Sequence, residues 1–480
     1  MRGLLASSIG VTCTAALALP LAPPATAATA RPAPTVETTA AAALATSPAA
    51  PLPGSTQSLP LTSPARDRAP GAEQQGLPRR DVHPFSLVGV VWDDPNAELH
   101  GRVQVRTRAV GTGAWSGWQD LETHNADHGA DPDTPERTAL GVRGATAPLW
   151  VGDSDGVEVR VVPAAGIRTE DTARGPLTAS AALPLPAGLR AELVDPGTEP
   201  AAHAPVGPPR SRALTRQAPV DAPRTATATT TRAVAASAAN TDLAPLGATE
   251  IPALDRTGTE HELLSLRQGE LTDSQRVKPY IGPRPRIVTR RGWGADESMR
   301  ETAFRYTRTV KAAFVHHSAT GNNYTCSQAP SVIRSIYRYH VKSMGWRDIG
   351  YNFLVDKCGN IYEGRAGGVT KPILGAHTLG FNTNSMGIAV LGTFSASKPS
   401  AAAVNAIARL TAWKLGLFGA NPRGKTYLKS GGGNLYAKGK NVRLNVISGH
   451  RDGFATECPG RQLYGKLASA RSTAARYQGR

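Results

Sequence analysis

Aromatic side chains make up only 5% of the 480 residues, and the chain has just four cysteines. With 38 prolines as well, this is less core-forming material than one packed body of that length would carry. Much of the chain is therefore expected to lie outside a core. Four cysteines are too few for a disulfide-built scaffold. No apolar run is long enough for an internal membrane span, and there is no internal repeat. Acidic residues are scarce in one half only. Residues 1–280 hold 24 Lys and Arg against 29 Asp and Glu, whereas residues 281–480 hold 30 against 8, a net charge of +22. So basic a half suits a polyanionic partner such as nucleic acid, an acidic membrane surface or an anionic cell wall.

The N-terminus narrows that choice. Arg2, an apolar stretch over 4–21, the Pro23 and Pro24 break and Ala-Thr-Ala at 25–27 predict a secretory signal peptide spanning 1–27. Cys13 leaves with it. Export removes nucleic acid as the partner of the basic half. Cys326, Cys358 and Cys458 then remain in an oxidising space, where two can pair and the third needs an occupation.

Composition divides the rest. Residues 28–80, rich in Ala, Pro, Thr and Ser, are expected to be disordered. Residues 81–197 carry short β-rich runs, such as 85–92, 103–107, 157–161 and 189–194, between turn signals at 93–96, 111–113 and 153–156. They predict a small antiparallel β-sandwich. In it His124 and His128, near Asp127 and Asp131, could form a metal cluster, but the stretch is loop-like and is read as a solvated loop. Residues 198–283 return to Ala, Pro, Thr and Arg and read as a flexible linker. Residues 284–480 read as mixed α/β, a central sheet flanked by helices. Apolar spacing predicts helices over 331–344 and 400–415, with strands ending near 315, 355, 391 and 448.

The chemistry gathers at strand ends. His316 and His450 each end an apolar run, and Cys458 follows eight residues after His450. Two imidazoles and a thiolate suit zinc with a fourth position open to water, an arrangement common in hydrolases. The odd sulfur is then accounted for, with Cys326 paired to Cys358 and Cys458 on the metal. Spacing leaves alternatives open. Cys458 and His450 could be a thiol nucleophile and its base. His317 could replace His316, since strand neighbours face opposite ways. His340, on an apolar helix face, is read as a core histidine.

Six motifs occur in order: RGWGA at 291–295, VHHSAT at 315–320, DIGYNF at 348–353, GNIYEGR at 359–365, GAHTLGFN at 375–382, and GHRD at 449–452 followed by CPG at 458–460. Together they resemble the peptidoglycan recognition protein family, related to the phage-lysozyme type of N-acetylmuramoyl-L-alanine amidase (type 2 amidase). The upstream sandwich resembles the extra domain of secreted actinobacterial relatives. The resemblance covers about 284–475 and implies a peptidoglycan recognition/amidase domain over 284–480. It implies Zn2+ on His316, His450 and Cys458, with Tyr351 and Thr456 as catalytic donors to the developing oxyanion. His377 and Asn382 would belong to the groove for the muramyl peptide, with Arg365 nearby.

The implied reaction is hydrolysis of the amide between N-acetylmuramic acid and L-alanine of the stem peptide. Glu457, next to the cysteine ligand, is read as a surface residue. Two stretches depart from the family pattern: Ala366-Gly-Gly-Val369, where many relatives have a Trp, and 421–441. The latter has three successive glycines at 431–433 and five Lys or Arg, and reads as a basic surface insertion. The 431–433 glycines are not a P-loop, since no Gly-Lys-Ser/Thr follows them at the required spacing. The alternative function is a muropeptide-binding module that does not cut, but the intact ligand set argues for an enzyme. Peptidoglycan and anionic cell-wall polymers are the expected partners, and the expected location is extracellular or cell-wall associated.

Overall fold

The computed structural model describes residues 54–63, 74–123, 125, 127–165, 183–198 and 224–480, with only the backbone for 224–230. The expected signal peptide and His124 lie outside these residues. Among the described residues no helix is long and apolar enough to cross a membrane.

The N-terminal strands are β1 (Thr56–Pro60), β2 (Gln75–Trp92), β3 (Gly101–Ala109), β4 (Gln119–Leu121), β5 (Gly144–Ala145), β6 (Leu149–Pro163) and β7 (Arg190–Val194). They pair antiparallel in the order β1-β7-β2-β6-β3-β4, with β5 beside β2. Register shifts between Leu77 and Leu87 interrupt the long β2–β6 ladder; bulges of this kind bend a strand and increase its twist. Residues from both halves of those strands share one core, including Leu77, Phe85, Val90, Val103, Val159 and Leu193. The disordered stretch expected over 28–80 is corrected in part. Residues 56–60 and 75–80 are strand, because Leu61 and Leu77 are buried in this core.

The linker expected over 198–283 is also corrected in its part from 224 onward, while 199–223 lie outside the described residues. Helix α1 (Arg224–Ala238), β8 (Glu250–Ile251), α2 (Arg256–Arg267) and α3 (Asp273–Val277) lie within it. Ile251, Leu263 and Leu271 are buried in the C-terminal core, and β8 pairs with β9 (Ile287–Val288). The Asn240 amide donates to Glu363 Oε1 at 2.9 Å and accepts from Val369 N at 2.8 Å. Composition looked like a tether, but a few apolar and amide side chains bind it to the domain.

The C-terminal sheet adds β10 (Ala312–His317), β11 (Phe353–Val355), β12 (Ile361–Glu363), β13 (Ser385–Val390) and β16 (Ile447–Gly449), in the order β16-β10-β13-β11-β12-β9-β8. Its strands alternate as a doubly covered sheet requires. Val315, Phe353, Val355, Ile388 and Val390 face α2, α5 (Ala401–Gly416) and α7 (Leu467–Tyr477). Leu354, Ala389 and Leu391 face α4 (Ala329–Arg338). Ser400 caps α5 by accepting from Ala403 N at 3.0 Å, near the start that the sequence predicts. A single π-helical turn, Tyr339–Ser343, follows α4, and α6 (Arg461–Tyr464) precedes α7. His340 in that turn is a satisfied core histidine, accepting from Gly350 N at 3.1 Å and packed on Trp346.

The 421–441 stretch is no bare surface loop. Strands β14 (Lys425–Lys429) and β15 (Asn441–Asn445) pair antiparallel across it. Their Leu428, Val442 and Leu444 are buried against Phe314 and Phe381.

The N-terminal sheet packs on the α4 face. Leu87, Val91, Trp150 and Val194 share a core with Ile336, Tyr339 and Met344. The Tyr339 hydroxyl donates to Thr146 O at 3.1 Å, and Ser343 donates to Glu192 at 2.8 Å. Gly89 makes room for this tyrosine, since a Cβ there would lie 2.3 Å from Tyr339 Oη.

Candidate metal centre and groove

Parallel pairing of β10 with β16 brings His316 and His450 together, because Val315 is in register with Gly449. Their ring centroids are 4.5 Å apart. The chain then turns through His450–Asp452 and returns Cys458 to the same point, with Cys458 Sγ 3.8 Å from His316 Nδ1. His317 falls on the other face of β10, where its Nδ1 accepts from Phe394 N and its Nε2 lies 3.5 Å from Glu122.

A fourth residue joins them. His128, from the loop between β4 and β5, sets its Nε2 3.6 Å from Cys458 Sγ. One donor atom from each of His128, His316, His450 and Cys458 lies within 4.8 Å of the other three, and all four residues are buried. The solvated-loop reading of this stretch is therefore corrected. Asp127, His128 and Asp131 are all buried, because the loop lies against the C-terminal domain rather than in water.

The donor set fits zinc. A sulfur and an imidazole nitrogen bound tetrahedrally at ordinary zinc distances stand about 3.5 Å apart, close to the separations found. Both His450 nitrogens are buried without a hydrogen-bond partner among the described residues. Such orphaned groups are costly unless something satisfies them. The His316 ring is held from behind, its Nε2 3.3 Å from His377 Nδ1 and 3.4 Å from Thr378 Oγ1, as outer partners orient a ligand.

Electrostatics speaks against the thiol-nucleophile alternative. Burial, then the Asp127 and Glu122 carboxylates, push the Cys458 thiol well above its ordinary value. A nucleophilic cysteine needs the opposite shift. Burial likewise drives His316 well below the ordinary histidine value and His450 down to about 3. Both are neutral imidazoles, the form that binds metal.

Tyr351 is buried with its ring 5.6 Å from that of His316. Burial, then Cys458 and Asp127, hold its phenol well above the ordinary value, so it keeps its proton. Thr456 Oγ1 accepts from Cys458 N at 3.2 Å, and its hydroxyl faces the Asp127 carboxylate. Glu457 is a surface residue paired with Arg451.

The three residues expected in the groove are all buried. His377 fits beside Gly387, where a Cβ would come 2.4 Å from its Cγ. Asn382 accepts from His377 N at 2.7 Å and donates to Gly129 O at 2.8 Å. Arg365 donates to both oxygens of Glu136, at 2.7 and 2.9 Å. The loop at 366–369 is covered by the turn after α1. Cys326 and Cys358 form the disulfide.

Residues 306–461 match the family model described as N-acetylmuramoyl-L-alanine amidase, and residues 37–187 match one described as Rv3811 N-terminal galactose-binding domain-like. Peptidoglycan-recognition protein SC2 of Drosophila simulans is 30% identical over 183 residues, 38% of this chain and 84% of the relative. Protein SC1a/b of the same fly is 31% identical over 188 residues, 39% of this chain and 87% of the relative. Among solved structures, wild-type Drosophila PGRP-LB aligns at 25% identity over 38% of this chain and 92% of its own, with a TM-score of 0.31. With the ordered motifs, the sheet that carries them and relatives matched over most of their length, the chain belongs to the peptidoglycan recognition protein and type 2 amidase family.

Proposed function

We propose that this protein is a secreted, zinc-dependent N-acetylmuramoyl-L-alanine amidase. It hydrolyses the amide between the lactyl group of N-acetylmuramic acid and the L-alanine of the stem peptide. The observation that carries this reading is the convergence of His316, His450 and Cys458, from separate parts of the chain, on one buried point. Zinc held there would lower the pKa of a water and polarise the scissile carbonyl. The other roles fall to the chain's own side chains. Tyr351 and Thr456 keep protons that they can donate to the oxygen on which charge develops, where preorganised donors help most. His377 holds the His316 ring in its tautomer and orientation. Asn382 and Arg365 offer an amide and a forked guanidinium to a peptide's carbonyls and carboxylates. Secretion rests on the pattern at 1–27.

Muropeptide release from purified peptidoglycan tests this reading. The full chain should free stem peptides beginning with L-alanine. Release should vanish with a chelator, return with added zinc, and be lost in Cys458→Ser. Release that survives both chelation and Cys458→Ser would refute the zinc mechanism. Binding of muropeptides without release by any form would make the protein a recognition module.

A further inference from the structure

We propose that the N-terminal sheet closes this site from within the same chain. The loop over 122–143 supplies His128 as a fourth metal ligand and fills the substrate groove, so most full-length chains rest in a latent form and the fraction with the loop lifted carries the activity. The groove's part of this rests on the amidase reading above; the fourth ligand does not.

Between β4 and β5 lie 22 residues, of which the described ones carry no strand or helix, a length that usually marks a functional loop. They bury Asp127, His128, Asp131 and Glu136. Buried titratable groups are costly without partners, and most of the partners here belong to the C-terminal domain. Asp127 Oδ1 lies 3.1 Å from His128 Nδ1, which leaves Nε2 to face Cys458. A carboxylate on the far nitrogen is the device that orients metal-binding histidines. Three protein ligands leave zinc a position for water, whereas four describe a closed site. His128 stands where that water would be needed.

Beside the metal site the loop takes the contacts of a bound peptide. Asp127 O accepts from Leu379 N at 2.9 Å. Gly129 O accepts from the Asn382 amide. Asp131 Oδ1 accepts from Gly380 N at 2.9 Å, from Asn382 N at 3.2 Å and from Asn382 Nδ2 at 2.7 Å. Glu136 occupies the Arg365 fork and also accepts from Arg347 N. The donors that would read a muropeptide are thus already engaged. An intramolecular competitor acts at high effective concentration, so a muropeptide meets only the fraction of chains whose loop has lifted. The loop is least tied at 138–141, where Leu140 is fully exposed.

The test uses the full chain loaded with cobalt in place of zinc. Wild type is compared with His128→Ala and with the double variant Asp131→Ala/Glu136→Ala, which keeps every metal ligand. Azide probes for an open coordination position through the visible cobalt spectrum, and calorimetry measures binding of a synthetic muramyl tripeptide. The wild-type spectrum should ignore azide, while that of His128→Ala should shift. The double variant should admit azide and bind the tripeptide roughly tenfold or more tighter than wild type. Azide shifting wild type and both variants alike, with equal tripeptide affinities, would overturn the proposal. If His128→Ala fails to fold or to hold cobalt, the double variant decides alone by the same two readouts. If no form binds the tripeptide but azide still separates the variants from wild type, the fourth ligand stands and the muropeptide reading fails.

Discussion

Tyr351 shows how a side chain can be placed for chemistry by its surroundings alone. Its ring packs against His316 and His340, so removing only the hydroxyl leaves that packing in place. Tyr351→Phe should therefore lower kcat for muramyl-peptide hydrolysis by about 10²-fold or more, as loss of an oxyanion donor does. Zinc content and KM should barely change. An unchanged kcat would remove Tyr351 from the reaction. At this scale the sequence was informative where ligands end strands, since His316 and His450 each close an apolar run. It misled on His128, which can be grouped in a local metal cluster but reads as loop, because a ligand lent to a distant site has no spacing to betray it. Two histidines among acids in a polar stretch look like solvent-exposed loop. The signal available was the length of that stretch between strands, together with Asp127 beside His128.

Helices and strands were legible in proportion to their periodicity. The alternation in β10, β11 and β13 and the apolar face of α4 follow from core positions that repeat every two residues or every three to four. The segment from α1 to α3 was not legible, because its Ala, Thr and Arg composition carries little period and its anchors are single residues. Asn240 is the clearest of these. Its amide satisfies both the buried Glu363 carboxylate and the Val369 N–H. Asn240→Ala should thus destabilise the protein by about 1–3 kcal/mol, the cost of leaving buried polar groups unpaired. Urea unfolding would measure the loss. A midpoint equal to wild type would mean that this segment is the loose linker its composition suggests.

For the molecule as a whole, composition suggested separate domains on a tether, and the shared core contradicts it. Domains joined by a small polar interface move independently, whereas a large apolar interface couples them. Here Leu87, Val91, Trp150 and Val194 interleave with Ile336, Tyr339 and Met344, and Tyr339 reaches over Gly89 to Thr146. The candidate metal ligands also come from both sides of that interface. Scanning calorimetry of the zinc-loaded chain should therefore show one transition for the N-terminal sheet and the C-terminal domain together. A ligand at 100 times its Kd adds about 2.7 kcal/mol to the folded state. Chelation should accordingly lower that single transition by roughly 5 °C. In Gly89→Val the new side chain would collide with Tyr339, so docking should fail and the transition should split. Two transitions in the wild type, only one of them moved by chelation, would mean that the sheet and the metal site fold apart. A loop carried by an undocked sheet could not hold His128 at Cys458.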